Sequence, residues 1–151
     1  MPDMDIYRHT QIGYVILAVL GIVTAILLIL TLTIGLTGLA VGVCAALLLV
    51  FFLFGTLTVE VSAEEFSFRF GVGLIRKSFA VSDIKSCVVS SFPWYYGWGL
   101  RYTPRGWLYC VSGLAAVTLD LKNGKAIQVG TDDAEGLAGA VTRAIRTITH
   151  R

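Results

Sequence analysis

Two patterns of apolar residues divide this chain. From Ile12 to Leu57 the residues are almost all Leu, Ile, Val, Phe, Ala, Gly and Thr, with no polar face. A helix rising about 1.5 Å per residue needs roughly 20 such residues to cross a hydrocarbon core about 30 Å thick. A single straight helix would be more than twice too long, so the run must fold back on itself. The turn is expected in Thr31 to Gly38, where Gly35 and Gly38 flank Leu36 and Thr37. The pattern predicts helices over 12–32 and 38–57, whose backbone groups are satisfied internally as a bilayer demands.

Beyond Leu57 the period drops to two. Thr58 to Gly71 reads as two alternating strands around a turn near Ala63 to Glu65, with Phe66, Phe68 and Phe70 on one face of the second. Leu74 to Val81, Ile84 to Ser91 and Trp107 to Val111 read as further strands. Ala115 to Leu121 and Lys125 to Val129 flank Lys122-Asn123-Gly124, where Asn-Gly predicts a type I′ hairpin turn. After Gly130 the spacing becomes helical, with Leu137, Val141, Ile145 and Ile148 on one face and Asp132 with Glu135 as an N-terminal capping pair. About seven short antiparallel strands and one C-terminal helix are therefore expected in a domain of residues 58–151. Residues 1–11 are expected to be a short N-terminal tail, and 12–57 a transmembrane hairpin.

Charge sharpens the boundary. Only 15% of the 151 residues are charged, against about 25% in an ordinary soluble domain, and none lies between Arg8 and Glu60. Arg8 precedes the first helix and Arg69, Arg76 and Lys77 follow the second, while the turn has no basic residue. The positive-inside tendency then predicts both termini in the cytoplasm, with a very short external turn. The apolar run is too long for a signal peptide, and Val43 stands before Cys44 where a lipoprotein signal wants a small residue. Cys44, Cys87 and Cys110 form no CxxC pair and are expected to be free, mostly buried thiols. Gly38, Gly42 and Ala46 on helix two, and Gly21 and Ala25 on helix one, recur every four residues; packing inside the hairpin is favoured over a dimerisation seam. The spans contain no charge of the kind that marks an ion or proton path.

A resemblance adds to this reading. Gly97 to Val141, with Gly-Trp-Gly-Leu-Arg at 97–101, Gly-Trp-Leu-Tyr-Cys-Val at 106–111, Lys-Asn-Gly-Lys at 122–125 and Gly-Thr-Asp at 130–132, resembles the C-terminal half of bacterial membrane-anchored pleckstrin homology (PH)-like proteins. The motifs cover about the last third of the chain; two preceding spans and the element order extend the likeness to the rest. It implies two nearly orthogonal sheets capped by a C-terminal helix. Phosphoinositide binding is not carried over, because the loop joining the first two strands of the domain, Ser62 to Glu65, holds Glu64 and Glu65 where basic phosphate ligands would be needed.

The best functional candidates lie between Phe92 and Tyr109. Trp107 and Tyr109 alternate in a strand and read as core or cross-strand packing. Trp94, Tyr95, Tyr96 and Trp98 lie among Pro93, Gly97 and Gly99, with Arg101 and Arg105 close by in sequence. Three readings stay open: a loop folded onto its own domain, a loop against lipid headgroups, or a protein-binding patch. Arg76 and Lys77 point to opposite faces of a strand and read as solvated charge. Enzyme chemistry finds little support. His9 and His150 lie near the ends without metal-ligand spacing, Asp132, Asp133 and Glu135 suit a helix start, and Gly71 to Arg76 lacks a dinucleotide fingerprint. No catalytic residue, metal or cofactor is assigned, and the dispersed basic residues do not suggest nucleic acid. The expected function is a non-enzymatic, membrane-anchored PH-like module binding a protein partner or the membrane surface. The alternative is a small accessory or regulatory subunit, or a homo-oligomer, assembling through its helices.

Overall fold

The computed structural model of the chain describes residues 7–35 and 37–150. Helix α1 (Tyr14–Ile34) and helix α2 (Thr37–Phe54) form the expected hairpin, each long and apolar enough to cross a membrane and neither burying any residue fully. Gly35, at φ 75°, ends α1 in the left-handed conformation and returns its N–H to Thr31 O at 3.0 Å. Leu36, in the expected turn, lies outside the described residues.

The half-buried positions Val23, Leu27 and Leu30 on α1, and Ala40, Val43, Cys44 and Leu47 on α2, mark the sides turned toward each other. The small residues are elsewhere. Gly21, Ala25, Gly38, Gly42 and Ala46 are all exposed, and a Cβ placed on any of these three glycines would meet nothing within 4 Å. The expectation that they pack the hairpin is corrected: the half-buried seam is made by other residues, Ala40 and Cys44 among them.

The expected N-terminal tail is also corrected in its described part. Strand β1 (Tyr7–Ile12) pairs antiparallel with β2 (Thr56–Val61), from Tyr7 opposite Val61 to Ile12 opposite Thr56. Residues 1–6 of that tail lie outside the described residues. The β domain therefore takes a strand from before the helices, and β2 begins two residues earlier than expected.

Strands β3 (Glu65–Phe70) and β4 (Ile75–Ala80) complete a four-stranded antiparallel sheet in the order β1-β2-β3-β4. A 3-10 turn, Val81–Asp83, leads into β5 (Ile84–Ser91). Strands β6 (Gly99–Thr103), β7 (Gly106–Cys110), β8 (Ala115–Leu121) and β9 (Ala126–Gly130) join β5 in a second sheet ordered β5-β8-β9-β7-β6. Nine strands thus stand among the described residues where about seven were expected. One pairing, β7 with β9, is parallel, so the expectation of a wholly antiparallel domain is corrected.

The main core lies between the inner faces of the two sheets. Phe66, Phe68 and Phe70 face Tyr109, Val111, Val117, Leu119 and Val129, and the Phe68 and Tyr109 rings meet at 4.5 Å. Helix α3 (Ala134–Thr149) covers one opening, burying Leu137, Ala140, Val141 and Ala144. Its N-cap is Asp133, whose carboxylate accepts from Gly136 N at 3.1 Å, rather than the expected Asp132. The β8–β9 turn is likewise not type I′: Asn123 does not have positive φ, Leu121 O accepts from Gly124 N at 3.0 Å, and Gly124 takes φ 83°. This is a type I turn followed by a left-handed glycine, the usual three-residue solution.

Candidate functional site

The two ends of the domain differ in chemistry. At the helix end, Gly13 N donates to Gly55 O at 2.8 Å, and a Cβ on Gly13 would lie 3.3 Å from Val111 O, so the β7–β8 connection reaches the start of α1. The β3–β4 turn meets the end of α2, where Val72 N donates to Phe52 O at 3.3 Å and Gly71 N to Thr56 O at 2.8 Å. Gly71 has φ 48° and sits so close to the Phe52 and Leu53 backbone that a Cβ would collide with it. On either side of this contact, Val72 is 66% and Leu74 75% exposed.

The aromatic loop is tied to the same end. Phe92 N donates to Leu114 O at 3.0 Å, and Trp98 Nε1 to Gly113 O at 3.1 Å. Two residues of chain, at most about 7 Å, separate Gly113 from Val111. Between those ties the loop divides. Phe92 is buried with Leu108, Cys110 and Ala116 in a second small core on the outer face of the second sheet, against which Tyr96 and Trp98 pack. Trp94 and Tyr95, on a 3-10 turn over Trp94–Tyr96, are 72% and 66% exposed. Pro93 enters that turn and Gly97, at φ 71°, leaves it, with Trp94 and Tyr95 outward and Tyr96 and Trp98 against the small core. Part of the loop therefore folds onto its own domain and part is free.

The two arginines do not share one place. The Arg101 guanidinium lies over Gly97, with its carbon 3.4 Å from where a Cβ on Gly97 would be. Arg105 is at the β6–β7 tip, its backbone N–H bonded to Thr103 Oγ1 at 3.3 Å. It borders two cavities. One, of about 290 Å³ on the outer face, includes Tyr96, Thr103 and the buried Gln128, whose Oε1 has no hydrogen-bond partner among the described residues.

The other cavity is a cleft of about 510 Å³ between β4 and the tips of the β6–β7 and β8–β9 hairpins. Directly opposed residues in antiparallel strands share a face. Lys77, opposite Phe68, is consequently on the inner face of the first sheet, and Tyr102, opposite Trp107, is on the inner face of the second. Phe79, Tyr109, Leu121 and Ile127 make an apolar floor, while Lys77, Arg105 and Lys125 are cationic and no acidic residue lines the cleft. The sequence signal for this cleft was the alternation itself, which runs one pleat beyond the core and carries Trp107 out to 46% exposure. Lys77 is exposed, as expected of a solvated charge, and stands at the edge of this cleft.

The acidic and histidine residues are structural neighbours. His9, expected at an end without context, lies in β1 with Nε2 2.6 Å from Asp132 Oδ1. Tyr7 donates to Asp133 Oδ2 at 3.0 Å, and burial first, then that carboxylate, pushes its phenol well above the ordinary range. His150 is the C-cap of α3. Among the described residues no group of three His, Cys, Asp or Glu side chains could hold a metal ion. The thiols are unpaired; burial pushes Cys87 up to about 11 and Cys110 to about 12. Thiols held in that range are poor nucleophiles near neutral pH.

Comparison with protein families, curated proteins and solved structures returns no match for this chain.

Proposed function

We propose that this chain is a non-enzymatic, membrane-anchored PH-like module whose helix-proximal rim docks the β domain onto the bilayer its own helices cross. The observation that carries this reading is the Val72 N to Phe52 O bond, which sets the exposed Val72 and Leu74 level with the end of an apolar helix. Aliphatic side chains in that position gain by entering lipid, and Trp and Tyr favour the adjacent headgroup layer. Trp94 and Tyr95 extend the rim through the Gly113 and Leu114 ties. The PH-like assignment rests on the motifs of residues 97–141, on the two-sheet arrangement and on the C-terminal helix. The basic residues around the spans favour a β domain in the cytoplasm, and the resemblance to bacterial membrane-anchored PH-like proteins implies a bacterial inner membrane.

A protein retaining only Trp94, with Phe at 98 and 107, tests this in nanodiscs. Lipids brominated near the headgroup should quench its fluorescence, and dissolved acrylamide should reach it poorly. Free access for acrylamide without lipid quenching would remove the docking and leave a protein-binding patch.

One observation favours a second reading, assembly through the helices: Gly38, Gly42 and Ala46 face outward with open space around the glycines. Disulfide crosslinking of Gly42→Cys in membranes, with the native cysteines replaced, should then give dimers.

A further inference from the structure

We infer that the cleft between β4 and the β6–β7 and β8–β9 tips is a binding site for a soluble, ring-bearing phosphate ester, the chemistry of a nucleoside phosphate. This does not rest on the membrane docking above, because the cleft opens at the hairpin tips, the ends of the strands remote from α1 and α2. Its volume of about 510 Å³ is that of a small-molecule site rather than a macromolecular groove.

The lining separates into two chemistries that one such ligand would satisfy together. Lys77, Arg105 and Lys125 bring three positive charges to the lining of the cleft, and none of their side chains makes an ion pair among the described residues. Three cations lining one cleft with no acidic residue among them leave it a positive potential, which a phosphate, carrying more than one negative charge at neutral pH, would neutralise. In the same cleft, Tyr102 and Trp107 meet edge to face at 5.4 Å over the buried Tyr109, presenting aromatic surface to a planar ring. A purely inorganic anion would leave those rings uncovered. A neutral ring would leave the cations unpaired.

Lys77 decides between this site and a structural role. A charge on the inward face of an edge strand discourages sheet-to-sheet pairing between molecules. That role requires neither Arg105 and Lys125 opposite it nor rings beneath it.

The full chain in nanodiscs of zwitterionic lipid is titrated by calorimetry with ATP, adenosine and pyrophosphate, and separately with vesicles containing anionic lipid. ATP is expected to saturate at a Kd below about 1 mM, with adenosine and pyrophosphate each at least about tenfold weaker. Lys77→Gln and Lys125→Gln should each weaken ATP about tenfold while leaving the melting temperature unchanged, and added salt should weaken it further. Tyr102→Ser, at an exposed edge position, should weaken ATP but not pyrophosphate. The inference is overturned by no saturation with ATP, by unchanged affinity in both lysine variants, by pyrophosphate binding as well as ATP, or by binding only to anionic vesicles.

Discussion

The indole nitrogen of Trp98 donates to the Gly113 carbonyl at 3.1 Å, joining the aromatic loop to the β7–β8 connection. Trp98→Phe keeps most of the ring and loses the donor. It should cost about 1 kcal/mol, the usual net worth of one hydrogen bond. Trp94→Phe, at an exposed ring, should change stability by less than about 0.5 kcal/mol. Urea unfolding of the detergent-solubilised protein measures both, and equal effects would contradict the division of the loop.

Asp132 and Asp133 are adjacent but have different work. Asp133 caps α3 through Gly136 N and also accepts from Tyr7. Asp133→Ala should therefore cost at least the roughly 1 kcal/mol of a lost N-cap, with the Tyr7 bond in addition. Asp132 is exposed, and among the described residues its hydrogen-bond and ion-pair partner is His9, so Asp132→Ala should cost between about 0 and 1 kcal/mol. The reverse order in thermal melts would return the cap to Asp132.

Gly71 and Gly73 share the β3–β4 turn at positive φ, 48° and 94°. A Cβ on Gly73 finds its nearest neighbour at 3.8 Å, whereas on Gly71 it strikes the α2 backbone. Gly73→Ala should cost the conformational strain alone, about 1 kcal/mol. Gly71→Ala should cost clearly more and loosen the turn from α2, seen as faster amide exchange at Val72.

Cys110 supplies an alkaline limit. Its thiol ordinarily ionises near 9 and is pushed up to about 12 by burial. Between those values the unfolded chain has lost the proton that the folded chain keeps, so stability falls as pH rises, by at most about 1.4 kcal/mol per pH unit. Below pH 9 the contribution is fully present. Unfolding free energies at pH 8, 9 and 10 should decline, and Cys110→Ala should flatten the decline whatever it does to the baseline.

Legibility in the sequence followed the range over which each element is decided. The helices and most strands carry their period within ten or so residues, and both Phe66-x-Phe68-x-Phe70 and the amphipathic α3 could be read without a partner. Strand β1 could not: Tyr7 to Ile12 has a polar alternation whose partner, β2, lies beyond two helices. Strand β6 was hidden for a related reason, since Gly99 to Thr103 is mostly exposed and held only along one edge by β7. The aromatic loop was visible as a candidate, but which rings turn inward depends on the φ of Gly97 and on Gly113, fifteen residues from Trp98. The cleft was least legible, because its cations come from three elements that only the pairing of two sheets brings together.

Ile12 and Thr56 stand opposite one another, and the next residues inward, Gly13 and Gly55, are joined by a 2.8 Å bond. In the plan of the β domain, the whole apolar hairpin therefore occupies the place of a two-residue turn. Excising residues 13–55 and joining Ile12 to Thr56 through Asn-Gly should leave an uninterrupted strand pair and a water-soluble domain. Starting the chain at residue 56 instead would strip β1 away and bare the edge of β2, so this truncation, not the excision, should aggregate.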